Sequence, residues 1–123
     1  MELNEITERI IGCAIKVHKV LGPGLLESTY EVCLMHELVK IGLDVRSQVE
    51  LPVVYDGLRL NAGYRIDLLV ANEVIVELKA VDAIHPIHEA QVISYLKLSG
   101  RKIGLLINFN VTMLKNGVRR LVN

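Results

Sequence analysis

The chain has 123 residues, 14 basic and 14 acidic, and a formal net charge of zero. That length allows one hydrophobic core without disulfides or a structural metal. The charge balance excludes a protein that coats nucleic acid through bulk basicity, so any phosphate-binding surface has to be local. Half of the residues are hydrophobic, yet no apolar run reaches membrane-spanning length. This apolar surplus over what a small monomer can hide points to a homo-oligomer. Residues 1–123 read as a single domain, with no repeat, linker or low-complexity stretch.

The N-terminus, MELNEITERIIG, is acidic and amphipathic where a secretion signal is basic and then apolar. Cys13 and Cys33 show no metal-ligand spacing and read as buried thiols in a reducing cytosol. The first predicted element is an amphipathic helix capped by Asn4, with Ile6, Ile10, Cys13, Val17 and Leu21 at helical spacing and Gly22-Pro23-Gly24 as its stop. A second helix is predicted from Leu26 to Ile41, ended by Gly42. Val49 to Tyr55 reads as a strand, placed at an edge or a bulge by Pro52, and Asp56-Gly57 is a turn into Leu58 and Leu60.

The stretch Tyr64 to Lys79, YRIDLLVANEVIVELK, follows. Two β-branched and leucine-rich runs, Ile66 to Val70 and Val74 to Leu78, flank Ala71-Asn72-Glu73, a length that suits a tight hairpin. A turn centred on Asn72 sets Asp67 opposite Glu77 and Arg65 opposite Lys79. Strand alternation then gives one apolar face, Ile66, Leu68, Val70, Val74, Val76 and Leu78. The other face carries Arg65, Asp67, Leu69, Ile75, Glu77 and Lys79. Directly opposed residues have Cβ atoms about 5 Å apart, and like charges there destabilise a sheet. A divalent cation between the two carboxylates accounts for the pairing, since magnesium is held by one or two carboxylates and keeps positions for water and phosphate oxygens. The competing reading makes them salt-bridge partners of Arg65 and Lys79.

Pro86 is suited to the first position of a third helix, running to about Leu98 and closed by Gly100. Ile103 to Phe109 is nearly continuous in its hydrophobicity, as in a strand covered on both faces. LKNGVRRLV reads as a last short strand. In the second helix Glu27 and Tyr30 share a face; in the third, His88, Gln91 and Tyr95 form a polar stripe. Tyr30 also reads as a packing residue, and Glu27 as a carboxylate favouring the helix dipole. His85 and His88 lack a third metal ligand, His18 and His36 read as surface residues, and Arg119 and Arg120 as a solvated tail or a contact to a nucleic-acid backbone.

These residues carry a resemblance. Gly24-x-x-Glu27-x-x-Tyr30 matches the signature of the GxxExxY proteins. Asp67 with Glu77-Leu78-Lys79 looks like the divided motif of the PD-(D/E)xK nuclease superfamily, and Gln91-x-x-x-Tyr95 is similar to an element of its RecB-like branch. Ile66 stands where the superfamily's name places a proline. The resemblance implies an α/β (α+β) restriction-endonuclease-like core, a mixed sheet flanked by helices in the order α-α-β-β-β-α-β. It implies a site built from Glu27, Asp67, Glu77 and Lys79; Gln91 and Tyr95, placed to position the lysine or the phosphate, complete the expected catalytic set, with Tyr30 and His88 in support. Magnesium or manganese would be held by Asp67, Glu77, Glu27 and the carbonyl of Leu78. The expected activity is phosphodiester hydrolysis in DNA or RNA by a cytoplasmic enzyme. The alternatives are a catalytically inactive relative that binds nucleic acid and a homo-oligomeric assembly module.

Overall fold

The computed structural model describes residues 1–123. Helix α1, Leu3–Leu21, buries Ile6, Ile10, Cys13, Ala14 and Val17 along one stripe. Asn4 does not cap it. The cap position is Glu2, while the Asn4 side chain accepts a hydrogen bond from Arg120 Nη2 at 2.6 Å. The helix stops at Gly22, whose φ of 69° lies in the left-handed region that glycine adopts without cost. Helix α2, Glu27–Lys40, packs on α1, and Lys16 meets Glu37 across the pair at 2.8 Å.

The expected strand from Val49 to Tyr55 is two strands. Strand β1 is Val45–Glu50 and β2 is Val53–Tyr55, parted at Leu51 and Pro52. Proline has no amide to give a ladder, so the chain leaves the sheet there. Strand β2 pairs only with β3, Leu58–Leu60, around the Asp56-Gly57 turn, and the two form a separate ribbon. Strands β4, Arg65–Val70, and β5, Val74–Lys79, make the central hairpin, with Ala71 and Asn72 both at positive φ. Helix α3, Pro86–Ser99, crosses over to β6, Ile103–Asn108, which runs parallel to β5. A short 3-10 turn, Leu114–Gly117, leads into β7, Val118–Val122.

The main sheet is mixed, in the order β1-β4-β5-β6-β7, with only β5 and β6 parallel. This is the α/β fold expected of a restriction-endonuclease-like domain, with more strands between α2 and α3 than the three anticipated. Helices α1 and α2 cover one face of the sheet over Leu68, Val70, Val74, Val76, Leu78, Leu105 and Ile107. Helix α3 covers the other through Val92, Tyr95 and Leu96, over Leu69, Ile75 and Leu106. Gly104 lets α3 approach: a Cβ there would lie 2.7 Å from Val92 Cγ1. The apolar alternation slips at one point. Ile66 packs on the α3 side and not with Leu68, because β4 is irregular at Asp67.

Two further side chains, His18 and Cys33, differ from expectation, and Tyr30 takes the packing role expected of it. His18 is buried, with Nε2 2.7 Å from the Val111 carbonyl, so it is not a surface residue. Cys13 is buried but Cys33 only half-buried. Tyr30 is fully buried, stacked on Phe109 with ring centroids 4.4 Å apart. Its hydroxyl donates to the Gly22 carbonyl at 2.6 Å and accepts from the Leu25 amide at 3.1 Å. That pair of bonds ties down the turn that delivers Glu27 to the start of α2. Replacing Tyr30 by Phe leaves both backbone groups without this partner, at an expected cost of about 1–2 kcal/mol. Urea unfolding measures it, and an unchanged midpoint would refute a structural role for the hydroxyl.

Candidate active site

The central hairpin keeps the expected register through Val70–Val74, Leu69–Ile75 and Leu68–Val76, where its ladder ends. Beyond it each strand takes its acceptor from a carboxylate of the other. The Asp67 amide donates to Glu77 Oε2 at 2.7 Å, and the Leu78 amide donates to Asp67 Oδ2 at 2.9 Å. Buried amides need acceptors, and here two side chains replace the carbonyls a regular ladder would provide. The strands therefore part at the acidic pair, and the opening is lined by it.

Neither carboxylate grips a cation. Arg65 lies 3.6 Å from Glu50, across β1. Lys79 forms no salt bridge within 4.0 Å; the ion pairs of the chain lie elsewhere. The backbone of Lys79 is fixed, since its carbonyl accepts from the Phe109 amide at 2.9 Å. The buried Asn108 side chain, opposite Lys79 on β6, bonds both the amide and the carbonyl of Val81 and so anchors the following loop.

Electrostatics follow from this geometry. Glu77 is 5 % exposed, and burial, then the nearby Asp67, push its carboxyl up to about 8. Burial also raises Asp67, against hydrogen bonds from Leu78 and Gln48 and the attraction of Lys79. Glu27, at the first turn of α2, is pushed up chiefly by desolvation, with Lys79 opposing and Asp67 adding. Its side chain is exposed, so solvent screens it more than it screens Asp67 and Glu77. Tyr95 is raised by burial and by Glu77, which places its hydroxyl in the field of the acids, and it accepts a bond from Gln91 Nε2 at 3.2 Å.

Two residues that sequence reasoning missed complete the cleft. Glu31 lies one helical turn after Glu27, a spacing that could have flagged it. Burial raises it, and Asp67 and Glu27 add to the rise. Gln48, opposite Asp67, drops out of the β1–β4 ladder and has a φ of 53°. Its Nε2 donates to both Glu31 oxygens at 3.0 and 3.1 Å and reaches Asp67 Oδ1 at 3.4 Å. Nothing in a glutamine announces a left-handed residue, so this one had no sequence signal.

The other expected site residues have different surroundings. Tyr30 points into the core, away from Glu27. His88 Nδ1 accepts from the His85 amide at 3.0 Å and thereby serves the start of α3. The Leu78 side chain belongs to the core beneath α1 and α2. No three His, Cys, Asp or Glu side chains converge on a metal-binding point. The donor set still suits a hard cation: carboxylate oxygens with no cation paired to them, and a Glu77 that commits only Oε2 to the protein.

A mixed five-stranded sheet with helices on both faces is the fold of a nuclease-type domain. The sequence matches the PD-(D/E)XK nuclease superfamily over residues 4–121, and the chain belongs to it. Nucleases of this superfamily generally use divalent metal ions. No curated protein and no solved structure gives a significant match. No helix is long and apolar enough to cross a membrane.

Two outcomes are expected of the metal-free protein. Between pH 4.5 and about 8 native Glu77 holds a proton that the unfolded chain has released, so its contribution to stability is complete below that window and lost as pH rises through it. Unfolding midpoints should fall across this range, with a slope on the order of 1 kcal/mol per pH unit that Glu77→Gln removes. A flat wild-type profile would show that burial does not hold the proton. At position 48, glycine relieves the left-handed strain that alanine keeps. Gln48→Gly should therefore be more stable than Gln48→Ala by about 1 kcal/mol, and equal stabilities would show that no strain is stored there.

Proposed function

We propose that this chain is a divalent-metal-dependent nuclease of the GxxExxY type, hydrolysing phosphodiester bonds in DNA or RNA. The observation that carries the reading is the acidic pair held at the parting of β4 and β5 by reciprocal bonds to backbone amides, with unpaired Lys79 at the same opening. Membership of the superfamily supports it.

Asp67 and Glu77 would hold magnesium or manganese, joined by Glu27 and the Leu78 carbonyl. When bound, such an ion supplies a water of lowered pKa and positive charge beside the phosphoryl oxygens. Lys79, anchored by Phe109, orients the attacking water or meets the charge that develops on the phosphate. Gln91 and Tyr95 act as a bonded pair that positions the lysine or the phosphate. Gln48 keeps Glu31 close to Asp67, which increases the negative potential that attracts the ion. One observation favours a non-catalytic relative that keeps the carboxylates and binds nucleic acid: the acids do not converge on a metal-binding point.

Manganese titration, thermal unfolding and cleavage of single- and double-stranded DNA and RNA test the proposal together. Above about pH 8, where Glu77 has lost its proton, Asp67→Asn relieves carboxylate repulsion, so there it should stabilise the metal-free protein, and it should abolish manganese binding. Lys79→Ala should keep manganese binding and lose about a hundredfold or more in cleavage rate. If Asp67→Asn destabilises the metal-free protein at that pH and leaves manganese uptake intact, the site is misassigned. Equal degradation by wild type and Lys79→Ala marks a contaminant and decides for the non-catalytic reading.

A further inference from the structure

The ribbon of β2 and β3 stands apart from the main sheet, with Val54, Tyr55 and Leu58 each more than half exposed. A two-stranded ribbon has little stability alone, and this one spends apolar and aromatic side chains on solvent. At its base lies a cavity of about 240 Å³ lined by Tyr64, Arg59, Asn61, Glu50 and Pro52. Two tyrosines link the cavity to the acidic cleft. Tyr64 precedes β4, its carbonyl is held by the Leu51 amide at 2.9 Å, and its ring meets Tyr95 edge-on with centroids 6.2 Å apart. Tyr95 in turn lies in the field of Glu77 and Asp67. Tyr64 is 45 % exposed, so part of its ring remains open to a ligand.

The lining combines an open aromatic ring, a guanidinium that forms no salt bridge, a carboxamide and a carboxylate. Those groups match an unpaired nucleobase: a π-face to stack on, donors and acceptors for a base edge, and a cation for the adjoining phosphate. A base inside a duplex offers no free face to a tyrosine in such a cavity. We propose that this cavity is a subsite for an unpaired base next to the scissile phosphate, with Tyr64 as its stacking platform and Arg59 as its phosphate contact. The substrate class is therefore single-stranded nucleic acid or an unpaired segment of a duplex. This rests on the nuclease reading above and sharpens it.

The test uses the full chain carrying Asp67→Asn, so that substrate stays intact. Probes are a short single-stranded DNA containing a fluorescent adenine analogue, the RNA of the same sequence, and the DNA annealed to its complement. The single strand, as DNA or RNA, should bind more tightly than the duplex and quench the analogue on binding. Tyr64→Ala should weaken single-strand binding about tenfold, and Tyr64→Phe should restore it, because stacking needs the ring and not the hydroxyl. Arg59→Ala should lessen the salt dependence of binding by about one phosphate contact. Single-strand binding indifferent to Tyr64→Ala, or a duplex bound as tightly as its strand, overturns the subsite, while metal-dependent cleavage by the wild type keeps the nuclease reading intact. No binding by any variant together with no wild-type cleavage removes both.

Discussion

Two backbone amides, those of Asp67 and Leu78, govern the geometry of this molecule. Where β4 and β5 part they lose their ladder acceptors, and a buried amide without one costs free energy comparable to a lost hydrogen bond. Each is met by a carboxylate from the opposite strand. The same exchange fixes the rotamers of both acids and sets their separation. It also brings them close enough that Asp67 raises Glu77. A protonated glutamic acid still accepts through its carbonyl oxygen, so the amide bond survives protonation. The confrontation of like charges can thus be relieved by a proton as well as by a cation, and under the proposed function the two compete for one place.

The surrounding elements serve that opening in distinct ways. Parallel pairing with β6 carries β5 on to Lys79, beyond the point where β4 has turned away. Phe109 then holds the carbonyl of the lysine itself, and Asn108 holds the loop that follows at Val81. Helix α2 brings Glu27 and Glu31 from one side, and α3 brings Gln91 and Tyr95 from the other, seated close by Gly104. Backbone strain is stored beside them, in β1. Gln48 holds a left-handed φ in the middle of β1 and aims its amide at Glu31 and Asp67. Such outliers persist when the surrounding structure over-determines them, and they gather at functional sites.

Much of this was legible from residue order. Apolar spacing placed α1, α2 and α3, and the short span between two β-branched runs set the hairpin register through Leu68–Val76. The superfamily's motif residues on β4 and β5 could be named because hairpin geometry turns sequence positions into spatial neighbours. Illegible features were those that depend on a partner distant in the chain. Asn4 looked like a cap but is claimed by Arg120, and His18 is drawn inside by the Val111 carbonyl. Ile66 changed face because Asp67 breaks the ladder on both sides, which alternation alone cannot foresee. Pro52 was read as an edge or bulge signal, yet it detaches a whole ribbon from the sheet.

Zero net charge gives the ribbon its significance. A basic protein can hold a polyanion over much of its surface, but this chain lacks the long-range field for that. Its acids concentrate negative potential where a phosphate would have to approach, so affinity must come from beside the cleft and from contacts that do not scale with net charge. Stacking is such a contact, because every base has a π-face and the interaction survives screening. Tyr64 sits where that contact would be most useful, between the exposed ribbon and the Tyr95 that borders the acids. The distribution of residues is thus consistent with a site that captures its substrate by the base and confronts the phosphate only afterwards.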